Sequence, residues 1–156
     1  MSYSSVAMPK LKDLSAILEK SVFAEIETEN IEKLARILEC GRTKAGEYVY
    51  QMGDSNHALY IIVSGEIAVC EPMKHKVLAN LTQGDSFGML SLFFNCNVSP
   101  DVKAVEDSTF LVLDAGTLRM IEVSDPNLAI VVLRCVRKAI GELVSELSPA
   151  LMRLAL

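Results

Sequence analysis

The sequence predicts a mainly β domain with flanking helices, on three observations. Between Gly41 and Asp114, short β-branched or aromatic runs alternate with Gly, Asp, Asn and Ser punctuation, the pattern of short strands joined by tight turns. Ahead of that stretch apolar residues recur at helical spacing, and behind it a longer run does so again. Closely spaced strands with glycine turns indicate a sandwich, a barrel or a jelly roll.

The elements follow in chain order. Residues 1–9 are short, Ser-rich and expected to be a flexible N-terminus. Leu11, Leu14, Ile17 and Leu18 carry the spacing of a first helix. Thr28 reads as the N-cap of a second, with Ile31, Leu34, Ala35 and Leu38 as its stripe and Gly41 as its end. Candidate strands are 48–51, 59–63, 66–70, 77–81 and 109–114, with Ser64-Gly65 as a hairpin turn between two of them. A short helix is expected over 117–123. Asp125-Pro126 then opens a long one that runs over 126–147 and stops at Ser148-Pro149. The domain so read covers 10–148, and 149–156 is an apolar tail.

Composition narrows the function. At 156 residues, 51% hydrophobic and 22% charged, the chain suits one domain with a full core. A net charge of −5 gives no counterion-release affinity for phosphate backbones, so no nucleic acid is expected as a partner of this chain alone. Cys40, Cys70, Cys96 and Cys135 form no C-x-x-C pair and no His pair accompanies them. No metal site, disulfide framework or cofactor is therefore expected. No apolar h-region opens the chain, and the longest apolar run, Leu128 to Leu133, is too short to span a bilayer. The expectation is a cytoplasmic protein without a membrane partner. No nucleophile–base pair, P-loop or carboxylate pair stands at a motif spacing, so an enzyme is not expected.

The punctuation then gains a specific meaning. Gly46-Glu47, Gly53-Asp54, Tyr60-Ile61-Ile62, Gly65 and Val69 resemble the first half of a cyclic nucleotide-binding domain. Leu81 and Gly84-Asp85-Ser86-Phe87-Gly88 resemble the approach to its phosphate-binding cassette, and Ala104, Asp107, Leu111 and Leu113 the strand after it. The resemblance covers roughly 14–147. It implies a jelly-roll β-roll (a double-stranded β-helix) with N-terminal helices and a long C-terminal helix, of the kind in bacterial cyclic-AMP receptor protein-like sensory domains. It also implies a regulatory ligand sensor in signal transduction.

The cassette departs from that family at the positions that grip the ligand. The resemblance implies a Glu after the Phe-Gly pair for the ribose hydroxyl and an Arg further on for the phosphate. These positions are Met89 and Val98. A thioether is a weak acceptor and valine carries no charge. Losing one partner of a buried charge pair costs about 2–5 kcal/mol, which weakens binding by roughly tens to thousands of fold. Pro100 lacks an N–H where many family members use one near the phosphate, and Asp101 adds negative charge beside it. Gly88, Leu90 and Ser91 keep the turn and the small residue at the helix start, and Ser99 keeps a hydroxyl.

The degenerate ligand pocket is therefore expected to comprise Phe87, Gly88, Met89, Leu90, Ser91, Val98, Ser99 and Pro100. Lys103, Arg134 and Arg137 are candidate rescuing cations, the two arginines as a lid, although surface charge is the plainer reading of all three. Apolar Met89, Phe93, Phe94 and Val98 suit a neutral small-molecule effector or a core filled by its own side chains, and close packing favours the filled core.

The long helix is apolar almost all round, and a helix apolar on every side is buried on every side. Leu128, Val132, Cys135, Val136, Ala139, Ile140, Leu143 and Leu147 are expected to form the seam of a homodimer. The function expected is a regulatory sensor or dimerisation module with weak or no cyclic AMP or cyclic GMP binding. The alternative is a working effector-binding domain of a Crp/Fnr-type transcription regulator lacking its helix-turn-helix domain.

Overall fold

The computed structural model describes residues 3–93 and 100–146. Strand β1 (Ser4–Ser5) precedes helices α1 (Leu11–Leu18) and α2 (Thr28–Ile37). Strands β2 (Glu39–Thr43), β3 (Tyr48–Tyr50), β4 (Ala58–Ser64), β5 (Ile67–Cys70), β6 (Val77–Leu81) and β7 (Ser86–Phe87) follow. Helix α3 (Met89–Phe93) leads to β8 (Asp101–Ala104) and β9 (Ser108–Asp114), then to helices α4 (Ala115–Ser124) and α5 (Pro126–Ser145). One sheet has the order β1-β2-β9-β4-β7 and the other β3-β8-β5-β6, with every pairing antiparallel.

The middle of the first sheet, β9 and β4, is buried on both faces. On β4 and β9, alternate residues point to opposite sides. Tyr60, Ile62, Phe110 and Val112 face the roll interior, while Leu59, Ile61, Leu111 and Leu113 face the helices. That double burial explains why these strands read as unbroken apolar runs. The helical layer is α1, α2, α4 and the first half of α5, which insert Leu18, Leu34, Ile121 and Val132.

Several expectations shift. Helix α2 starts at Thr28 after an extended Glu27 and ends at Ile37, with Leu38 already extended. Gly41 is thus not a helix end but a residue of β2 opposite Phe110, where an added Cβ would stand 2.6 Å from the Tyr3 ring. The N-terminal stretch is tied down from Tyr3 to Val6: β1 pairs with β2, Val6 N–H donates to Cys40 O at 2.9 Å, and Tyr3 packs edge-on to Phe110. Ser64-Gly65 is a tight link rather than a hairpin turn, because β4 and β5 belong to different sheets. Strands β1, β2, β7 and β8 lay outside the expected set. Leu147, expected in the closing helix, lies outside the described residues, as do the tail 149–156 and, in the cassette, Phe94, Val98 and Ser99.

Candidate functional site: an apolar cavity in the roll

A cavity of about 350 Å³ opens beside α3. The second sheet supplies one wall: Tyr50 from β3, Val69 from β5, Ala79 and Leu81 from β6, and Val102 from β8. The other wall is Ser86 and Phe87 of β7, Gly88, and Met89, Leu90 and Ser91 of α3, with Pro100 across from them and Leu143 reaching in from α5. Leu143 stands one heptad after Val136 and so shares its helix face. Val136 is buried in the core, whereas Leu143, further along, is partly exposed at the cavity.

The turn into α3 depends on Gly88. Its φ is +82°, and an added Cβ would meet Ala58 O at 2.4 Å. Behind α3 a polar network fixes the helix. Tyr60 Oη donates to Asn56 Oδ1 at 2.6 Å, and Asn56 Nδ2 donates to Ser91 Oγ at 3.2 Å. Ser91 Oγ donates in turn to Gly88 O at 2.7 Å, and His57 Nδ1 lies 3.1 Å from Ser91 O. Phe87 stacks on Tyr60 with ring centroids 4.7 Å apart. The cassette backbone is therefore held from within the roll, without any ligand contact.

No described residue lining the cavity carries a charge, and segment 94–99 contains no charged residue in its sequence. Burial raises the Tyr50 phenol above its ordinary range, which keeps that wall neutral. The side chains expected to add charge point elsewhere. Asp101 accepts from Met52 N–H at 2.8 Å and serves the turn after β3, not the cavity. Lys103 lies on the other face of its sheet, with Nζ 5.3 Å from the Tyr48 ring centre. Arg134 and Arg137 are exposed and are not among the residues that line the cavity, whereas Leu143 of the same helix is.

Phe87, Gly88, Met89, Leu90, Ser91 and Pro100 line one cavity. Among the described residues the cavity is open and Phe93 is exposed, while Phe94 and Val98, on which the filled core also rests, lie outside them. Sequence reasoning missed Tyr50, Val69, Ala79, Leu81, Ser86, Val102 and Leu143, and the Asn56–Tyr60 support. The inward positions of β5 and β8 were findable by two-residue alternation once both strands were recognised.

The expected dimer stripe divides. Leu128, Val132 and Val136 are fully buried in the chain's own core, so they cannot form an outer seam. Cys135 and Ala139 flank a small groove against Val22 and Glu25. Half-buried Ile140 also packs on the core cluster.

The profile of the cyclic nucleotide-binding domain family matches residues 41–122. An NTE family protein of Mycobacterium tuberculosis is 26% identical over 128 residues, covering 82% of this chain and 22% of that protein. The chain thus spans under a quarter of that relative's length. A cyclic nucleotide-binding domain from Methylobacillus flagellatus superposes with a TM-score of 0.76 at 20% identity, covering 92% of this chain and 83% of that one. The N-terminal domain of a transcriptional regulator from Streptomyces coelicolor does so with a TM-score of 0.71 at 21% identity, covering 85% and 97%. Two antiparallel sheets, a glycine-turned cassette beside a cavity, a closing helix and a profile match over these same strands converge: the chain belongs to the cyclic nucleotide-binding domain family.

Proposed function

We propose that this chain is a regulatory module of the cyclic nucleotide-binding fold that binds cyclic AMP and cyclic GMP weakly or not at all, and that it dimerises through α5. The observation that carries the reading is a cavity wall on which no described residue is charged. A cyclic phosphate entering it gives up hydration and meets no counterion among the described lining residues. Ser91, the cassette hydroxyl, already gives its one proton to Gly88 O. Calorimetric titration with both nucleotides tests the reading. The expected result is a Kd weaker than about 100 μM for each, and a Kd of about 1 μM or tighter for either overturns it.

The dimer part rests on a flank of α5. Ile130, Leu133, Arg137, Ile140 and Val144 recur at the three-four spacing of a coiled-coil seam. Ile130 is 47% exposed although it is large and apolar. This stripe keeps Ile140 of the one read from the sequence and leaves out its buried members Leu128, Val132 and Val136.

A further inference from the structure

The cavity beside α3 combines properties that select a ligand class. Its volume of about 350 Å³ stands at the lower end of the roughly 300–1,000 Å³ found for small-molecule sites. Its walls are mostly hydrocarbon, from Val69, Ala79, Leu81, Met89, Val102 and Leu143. Of its hydroxyls, Ser91 is engaged on both sides, donating to Gly88 O at 2.7 Å and accepting from Asn56 at 3.2 Å. Tyr50 brings a neutral phenol to the wall of the second sheet. Such a site penalises any ionised guest, which loses hydration without a counter-charge. It rewards a guest that brings apolar surface out of water.

We propose that this cavity binds a neutral, largely apolar small molecule. The inference rests on the reading that the cassette does not grip a cyclic phosphate, and it names what the same walls accept instead. Met89 is then a specificity residue. Where a carboxylate would hold a ribose hydroxyl, the thioether gives polarizable packing against hydrocarbon.

The test uses the whole chain and the neutral fluorophore N-phenylnaphthylamine, which brightens in apolar surroundings. The expected result is one saturable site per chain. Met89→Glu places a carboxylate in the cavity and Ala79→Phe fills it; each lowers dye affinity by about tenfold or more. Val123→Ser, at an exposed position on α4, leaves affinity unchanged. Circular dichroism verifies that both cavity variants fold, and their opposite chemistries keep the test standing if one does not. Absence of saturable binding, or equal affinity in the wild type and the folded cavity variants, overturns the proposal. Tight cyclic AMP binding overturns the earlier reading and this one with it, while failure of the dye to bind beside weak nucleotide binding overturns this one alone.

Discussion

Gly88 carries the cassette on a backbone conformation that other residues adopt at a cost. Its φ of +82° and the 2.4 Å approach of an added Cβ to Ala58 O act together. Gly53 has a similar φ of +92° but open space around its Cβ position. Gly53→Ala should therefore lose about 1–3 kcal/mol from backbone strain alone. Gly88→Ala should lose more, because Ala58 O is main chain and must move. Urea unfolding of the two variants measures the difference, and equal midpoints would show that the approach to Ala58 is not a constraint. The need for a turn at Gly88 is legible in the sequence, since a glycine between a strand and a helix signals one. The close approach is not, because Ala58 is thirty positions away in the chain. The same holds for Asp101. Its carboxylate reads as local negative charge beside Pro100, and only the fold shows it turned to Met52 N–H.

Helix α5 begins where its local sequence says it should. Asp125 caps it by accepting from Leu128 N–H at 3.2 Å, and Pro126 occupies the first turn. Asp125 also lies 3.7 Å from Lys33 Nζ of α2, in a partly exposed ion pair. Asp125→Ala should cost about 1 kcal/mol, and Asp125→Asn should recover most of it if the cap dominates. Exposed ion pairs of this kind contribute roughly 0–1 kcal/mol. Unfolding midpoints that fall equally in the two variants would assign the loss to the Lys33 pair instead. Local signals of this sort also made β4, β5, β6, β9, α1 and α4 readable, because apolar periodicity and turn residues mark them. Strands β2 and β8 escaped for a physical reason. Glu39–Thr43 and Asp101–Ala104 place polar residues among few apolar ones, and their pairing with β9 and β5 is a long-range contact that no short window contains. The two-residue strands β1 and β7 are likewise set by their partners, β2 and β4.

At the scale of the whole molecule, α5 has two apolar faces with different destinations. The sequence shows a helix apolar nearly all round, but cannot say which face the roll takes. The roll takes Leu128, Val132 and Val136, and the same face runs on to bring Leu143 to the cavity. A second stripe, Ile130, Leu133, Arg137, Ile140 and Val144, is left on a flank of the helix with its members exposed or half-buried. Two copies meeting along that stripe would remove Ile130 from water, which contributes about 1.5–3 kcal/mol per side chain when burial is complete. Ile130→Glu should therefore weaken dimerisation by about tenfold or more. Arg137 lies mid-stripe, where a polar residue fixes register at a cost in stability. Arg137→Leu should accordingly tighten the dimer while Ile130→Glu loosens it. Sedimentation equilibrium on the wild type and both variants reads the association constants directly. Opposite shifts in the two variants support a seam along this stripe. A wild type that stays monomeric across tens of micromolar, or an association constant that neither substitution moves, removes α5 as the dimer element.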